Sequence, residues 1–254
     1  MSLRTKSKKK SNNSEGDKLV VPREYNTSHK RFSLAKNFQL ADFITILNCI
    51  CGTLSVMKSV HLISTLDAPS IILSKDSLTT DQLYVLRKAF ILPFLGMFFD
   101  VFDGRVARWT KGGPTLLGQE LDSLSDLISF GVAPAVLGWV VGLRTFIDQF
   151  ILVLFVSAGL ARLARFNVTA HKQIKDANGK QKFFEGLPIP TSLCLVSVMW
   201  AWFEYDLIQD GKVPGGEFEL FTIDQVPYKI HYWSLFYLFW SVCMVSKTLR
   251  VPKP

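Results

Sequence analysis

Apolar residues in this chain collect in runs close to the roughly 20 residues that a helix needs to cross a bilayer. The runs fall at about residues 38–63, 84–109, 116–141, 146–166, 189–203 and 232–246. A soluble domain of 254 residues can reach the same 48% hydrophobic content, but without this clustering. The pattern predicts an all-α, polytopic integral membrane protein with about six transmembrane helices. In this reading residues 38–247 form one membrane domain. A basic tail precedes it at 1–37 and a short basic tail follows at 248–254. The second and third runs are weak by hydropathy because both carry aspartates.

The formal net charge of +8 is unevenly spread. Residues 1–40 hold ten Lys or Arg against three Asp or Glu. The stretch around Lys6, Lys8, Lys9 and Lys10 is too polar to fold alone. No apolar core follows its charges, so it does not read as a signal peptide. Such a tail suits anionic lipid headgroups. It lacks the aromatic platform of a nucleic-acid binder, and no nucleic-acid partner is expected. Between the runs, basic and non-basic loops alternate. Arg105, Arg108 and Lys111 mark one basic connection, and Arg162, Arg165, Lys172, Lys175, Lys180 and Lys182 another. Asp67, Asp76 and Asp81 lie in a non-basic loop, and 204–230 is acidic. This alternation places both termini in the cytoplasm. Cys49, Cys51, Cys194 and Cys243 sit in apolar runs without metal-ligand spacing and read as buried, reduced small hydrophobes. His29, His61, His171 and His231 have no ligand or triad partner at a telling spacing. The sequons at Asn12, Asn26 and Asn167 fall on segments expected to be cytoplasmic, and so unmodified.

Residues 100–126 read DVFDGRVARWTKGGPTLLGQELDSLSD. Asp100 and Asp103 are three apart, Asp122 and Asp126 four apart, so on helices each pair shares a face. An ionised Asp at mid-bilayer costs about 2.5–3.5 kcal/mol on insertion scales. Nothing apolar nearby offsets four of them, whereas a wet pocket holding cations does. Hard oxygen ligands favour Mg²⁺ or Mn²⁺ over zinc. Two helices giving two carboxylates each can bridge two ions, which clamp phosphate oxygens and stabilise a leaving group. Gly104 removes a side chain where a nucleotide must approach, and Ala107 keeps that face low. Arg108 offers a planar fork to phosphate oxygens, and Gly118 lets helices approach closely. Thr45 and Asn48, three apart on the first run, can face the same pocket or bond between helices.

The string Asp100-x-x-Asp103-Gly104-x-x-Ala107-Arg108, then Gly118-x-x-x-Asp122-x-x-x-Asp126, resembles the signature of the CDP-alcohol phosphatidyltransferases. Nine residues, 109–117, separate the Arg from the second Gly where that family usually has eight. The extra residue falls among Lys111, Gly112, Gly113 and Pro114, where a flexible turn can absorb it. The resemblance implies that Asp100, Asp103 and Asp122 ligate metal. It implies that Asp126 binds metal or takes the acceptor hydroxyl's proton as the catalytic base. Gly104, Ala107, Arg108 and Gly118, with Thr45 and Asn48, would bind CDP-diacylglycerol. An unperturbed carboxylate, with a pKa of about 3.9, is a weak base for an alcohol, so the metal must also orient or acidify that hydroxyl. Homodimers or higher homo-oligomers are common in the family and are expected here.

AGLARLARFN at 158–167 and FFEGLPIP at 183–190 resemble the phosphatidylserine synthases of that family, the fungal type in particular. The likeness runs from about Leu40 to the C-terminus. It implies L-serine as acceptor, in the endoplasmic reticulum membrane. Arg162 and Arg165 suit a carboxylate or the lipid phosphate, Asn167 can donate and accept, and Glu185 can meet an ammonium. Phe166 completes this expected serine site. Snorkelling arginines that anchor a span are the plain alternative. The rival acceptors are inositol, inositol phosphate and glycerol phosphate. A divalent cation transporter is a rival of another class, but it leaves Gly104, Ala107 and Arg108 without a role. A non-catalytic adaptor gives no reason for the acids.

Overall fold

In a computed structural model that describes residues 38–66, 75, 78–109, 115–172, 183–208, 213–223 and 226–252, the first apolar run forms α1 (Leu40–Ser64). The second forms α2 (Thr80–Trp109). Its first turn is capped reciprocally: Thr79 N donates to Gln82 Oε1 and Gln82 N to Thr79 Oγ1, at 3.0 and 3.3 Å. The third run is broken in pitch. It begins as α3 (Leu116–Asp126), widens to a π-helical turn over Leu127–Val132, and resumes as α4 (Ala133–Val141). The fourth forms α5 (Phe146–Lys172). A 3₁₀ turn (Ile189–Ser192) leads into α6 (Leu193–Glu204), and α7 (Tyr232–Val245) is the sixth run.

Three of these helical stretches are long and apolar enough to cross a membrane: Leu40–Ser64, Leu116–Val141 and Phe146–Val168. The apolar stretches at Ile189–Glu204 and Tyr232–Val245 are shorter. The apolar window of the third run is 67% buried, against 39% and 44% for the other two, which makes it the central helix. Phe130, Leu137, Phe155, Ile189, Met199 and Tyr237 form a core around it.

Prolines inside apolar helices free carbonyls that lipid cannot satisfy. Pro93 lies within α2, and the carbonyl four residues earlier, Ala89 O, accepts a 2.7 Å hydrogen bond from Ser55 Oγ of α1. Pro134 opens α4, and Phe130 O accepts from Ser192 Oγ at 2.6 Å. Each broken bond thereby becomes a link between helices. A third link lies at the starts of α5 and α7. The wholly buried Asp148 carboxylate accepts from Thr145 N, His231 N, His231 Nδ1 and Ser234 Oγ, at 2.6–3.1 Å.

The expectation of an all-α chain is corrected by two small antiparallel ribbons. β2 (Glu217–Ile223) pairs with β3 (Val226–His231) inside the acidic 204–230 connection. Leu220 is an extra residue in β2 that shifts the register. The shift sets Glu217 and Glu219 opposite His231 and Lys229, and Phe218 and Phe221 opposite Ile230 and Tyr228. One ribbon face is thus charged and the other apolar. Glu217 beside Lys229 holds that ammonium above its usual range. β1 (Phe183–Glu185) pairs with β4 (Arg250–Pro252), so the segment expected to be a simple tail is knitted to the α5–α6 connection. All four cysteines are free; of the four expected to be buried only Cys51 is, with Cys49 and Cys243 half-buried and Cys194 exposed. The basic tail at 1–37 and most of the 64–82 loop lie outside the described residues.

Ser55→Ala leaves Ala89 O buried without a donor. The expected cost is about 1–3 kcal/mol, read as a lower Tm for the purified protein in detergent. Ser55→Thr, which keeps the hydroxyl, is expected to recover most of it.

Candidate active site

The acids meet where the start of α1, the last third of α2 and the second half of α3 come together. One carboxylate oxygen each from Asp100, Asp103 and Asp122 lies within 4.8 Å of the others. Asp100 also reaches the side chain of Asp126 within hydrogen-bonding distance. The two expected pairs therefore do converge, across a connection whose residues 110–114 lie outside the described set.

Helix α1 supplies the frame. Thr45 Oγ1 donates to Asp103 Oδ2, and Asn48 Nδ2 donates to Asp126 Oδ1 at 3.3 Å. In return the third run bonds to the α1 backbone: Ser125 Oγ reaches Thr45 O at 3.2 Å, and Ser129 Oγ reaches Asn48 O at 2.9 Å. Gly52 allows this approach, because a Cβ there would stand 2.7 Å from Ser129 Cα.

Beside the acids opens a cleft of about 330 Å³. Gln39, Asp42 and Thr45 line it from α1 and its cap, Asp103, Gly104 and Ala107 from α2, and Thr115, Gly118, Gln119 and Asp122 from α3 and its cap. A Cβ on Gly104 would meet nothing within 4 Å, so packing within the chain does not demand glycine there, and a closely approaching ligand would. Gly118 answers a different need. A Cβ there would come within 2.8 Å of Asp42 Oδ1, so it makes room for the buried Asp42 carboxylate. Asp42 in turn accepts from Gln39 N at 2.8 Å and fixes the start of α1.

Several expected residues stand elsewhere. Asn48 does not line the cleft; it is buried behind the acids, on Asp126. Arg108 is exposed, with its Nε on Gly104 O at 2.9 Å, and does not line the cleft either. Arg165 is spent on the C-terminus of α7, where its guanidinium donates to Val245 O at 2.8 Å and Met244 O at 3.5 Å. Asn167 clasps α3, accepting from Ser123 Oγ at 3.1 Å and donating to Glu120 Oε2 at 3.2 Å. Phe166 is half-buried on the same helix. The backbone of Glu185 lies in β1, and its side chain is outside the described residues. Arg162 is buried, as Asn167 is, but its Nε is unpartnered and its charge interacts with that of Asp126.

Sequence reasoning missed Gln39, Asp42, Thr115 and Gln119 in the cleft, and Glu120 and Ser123 of α3 as partners of Asn167 on α5. Gln119 carried a usable signal, since it precedes Asp122 by three residues and so shares its helical face. Asp42 carried none, because a first-turn acid is ordinary helix capping.

The donor set suits a hard divalent cation. It is all carboxylate oxygen, and Asp122 Oδ1 is buried with no hydrogen-bond partner, an expensive arrangement unless a cation sits against it. Asp100, Asp103 and Asp122 could hold such an ion, with Asp126 adjacent.

Comparison with known proteins agrees with this geometry. The family model for CDP-alcohol phosphatidyltransferases matches residues 38–240. The CDP-diacylglycerol–serine O-phosphatidyltransferase of Saccharomyces cerevisiae is 41% identical over 91% of this chain and 76% of its own length. The enzyme of that name from Bacillus subtilis is 32% identical over 63% of this chain and 74% of its own. An archaetidylserine synthase of Methanothermobacter thermautotrophicus is 35% identical over 62% of this chain and 56% of its own. No solved structure matches the chain significantly. With the family model matching residues 38–240, this protein belongs to the CDP-alcohol phosphatidyltransferase family.

Proposed function

We propose that the protein transfers the phosphatidyl group of CDP-diacylglycerol to the hydroxyl of L-serine, giving phosphatidylserine and CMP. The observation that carries this reading is the convergence of carboxylates from α2 and α3 beside an open, glycine-floored cleft. The relatives that act on serine supply the acceptor.

In the reaction the serine oxygen bonds to the phosphorus that carries diacylglycerol. The bond from that phosphorus to the bridging oxygen breaks, and the bridging oxygen leaves on CMP. Asp126 stands at the edge of the acid cluster and takes the serine proton. Gly104 and Ala107 leave the cleft wall low enough for the nucleotide to lie against it. Thr45 orients Asp103, so that acid enters the reaction already aimed. Asp100, Asp103 and Asp122 would hold divalent cations, Mg²⁺ or Mn²⁺ and two in number, which supply positive charge against the diphosphate. Arg162, buried beside Asp126 with an open Nε, is the favoured partner for the serine carboxylate. Arg165 and Asn167 support that wall from behind. The alternation of basic and non-basic loops supports six spans, with the cleft and both termini on the cytoplasmic side. The endoplasmic reticulum is the expected membrane.

Radiolabelled serine is expected to enter chloroform-soluble lipid only when both CDP-diacylglycerol and a divalent cation are supplied, and EDTA is expected to stop it. Incorporation of inositol or glycerol phosphate in place of serine would replace the acceptor. Asp122→Asn is expected to cut turnover at least about a hundredfold in a protein that still elutes as a folded species; undiminished turnover would remove the metal assignment. Arg162→Ala is expected to raise the serine KM about tenfold or more and to leave that for CDP-diacylglycerol nearly unchanged. An equal rise in both would separate Arg162 from serine.

A further inference from the structure

Asn48 is wholly buried in the face of α1 that backs the acids. Its Nδ2 bonds Asp126 Oδ1, while its own Oδ1 has no partner. That oxygen is turned toward α2, where a Cβ on residue 96 would come within 2.7 Å of it. A buried acceptor without a donor is uncommon and asks for a reason. Turning the amide over gives no relief, because its oxygen would then face the Asp126 carboxylate. An apolar side chain would fill the same space without the stranded amide oxygen, but would leave Asp126 Oδ1 without this donor. The arrangement is therefore costly to the fold, and its one product is a fixed Asp126.

We propose that Asn48 is the positioning residue of Asp126, and that Gly96 is the gap that admits it. By holding one carboxylate oxygen, Asn48 fixes the rotation of the Asp126 carboxylate and leaves the other oxygen to the reacting groups. Both ends of this bond are rigid. Ser129 Oγ and Ser125 Oγ bond the α1 backbone at Asn48 O and Thr45 O, which locks the turn that carries Asp126 to the helix that carries Asn48. The amide thus acts on the acid and not on the nucleotide, whose cleft it does not line. This inference rests on the reading of Asp126 as the proton acceptor.

The test uses the full chain in detergent with CDP-diacylglycerol and serine. Asn48→Ala is expected to lower kcat about ten- to a hundredfold, the worth of a hydrogen bond to a charged group. Both KM values should stay within about threefold and Tm should fall little, since the variant frees Asp126 Oδ1 of its donor but also removes the unpartnered Asn48 Oδ1. Gly96→Ala pushes the Asn48 amide aside and is expected to lower kcat in the same way. In the Asn48→Ala background it should cost nothing further, because the atom it displaces is gone. Should Asn48→Ala fail to fold, Gly96→Ala alone still decides. Unchanged kcat, a raised KM for CDP-diacylglycerol with normal kcat, or losses that multiply in the double variant would each overturn the positioning role. Asp126→Asn in the same assay tests the underlying reading. Full activity there removes Asp126 as base whatever Asn48 does. A dead Asp126→Asn beside a normal Asn48→Ala removes only the positioning role.

Discussion

Repulsion between like charges is the constraint that the rest of this protein answers. Helices α2 and α3 meet through carboxylates, with oxygens of three of them within 4.8 Å of one another. At an effective dielectric of about 20, two unit charges 4 Å apart interact by about 4 kcal/mol. That contact works against the pairing of the two helices when the acids are ionised. Divalent cations offset it when bound. The lasting support comes from α1, which gives hydroxyl and amide donors to the acids and receives two serine hydroxyls on its backbone. The acid-bearing helices are each held by a third helix, rather than by each other.

The same economy recurs away from the site. In an apolar body every carbonyl freed by proline needs a donor, and a serine on a neighbouring helix provides it at both Pro93 and Pro134. Interruptions in helical bonding thereby become cross-links. The π-helical turn beginning at Leu127 follows Asp126 directly. It shifts the rotational phase between the acid-bearing α3 and the core-facing α4, both ordinary α-helix. Widened turns of this kind are frequent at functional sites.

On α5 the basic residues divide their work by burial. Arg165 reaches out to the carbonyl end of α7, the favoured place for a cation. Arg162, three residues earlier, points inward and keeps a donor unspent. The spacing of three that made both look alike in the sequence places them on adjoining strips of one helix, with different neighbours.

The six helical stretches, their order and the meeting of the four aspartates were legible in the sequence, because apolar run length and helical periodicity are local properties that survive folding. The two acid pairs needed only their own spacing and a reversal of chain direction between them. What each donor on α1 touches was not legible. Thr45 and Asn48 share a face, yet one lines the cleft and the other lies behind it on Asp126. Gly118 read as a helix-packing glycine and proves to be room for Asp42, which lies 76 residues away in the chain. The ribbon at 217–231 was hidden because its alternation of apolar and polar residues breaks at Leu220, where the bulge restores it only once the strands are paired. Sequence determined which helices exist and which face of each is polar. Only the tertiary structure decided which polar atom meets which, since that depends on helix rotation and depth to within a few ångströms, set by packing among residues far apart in the chain.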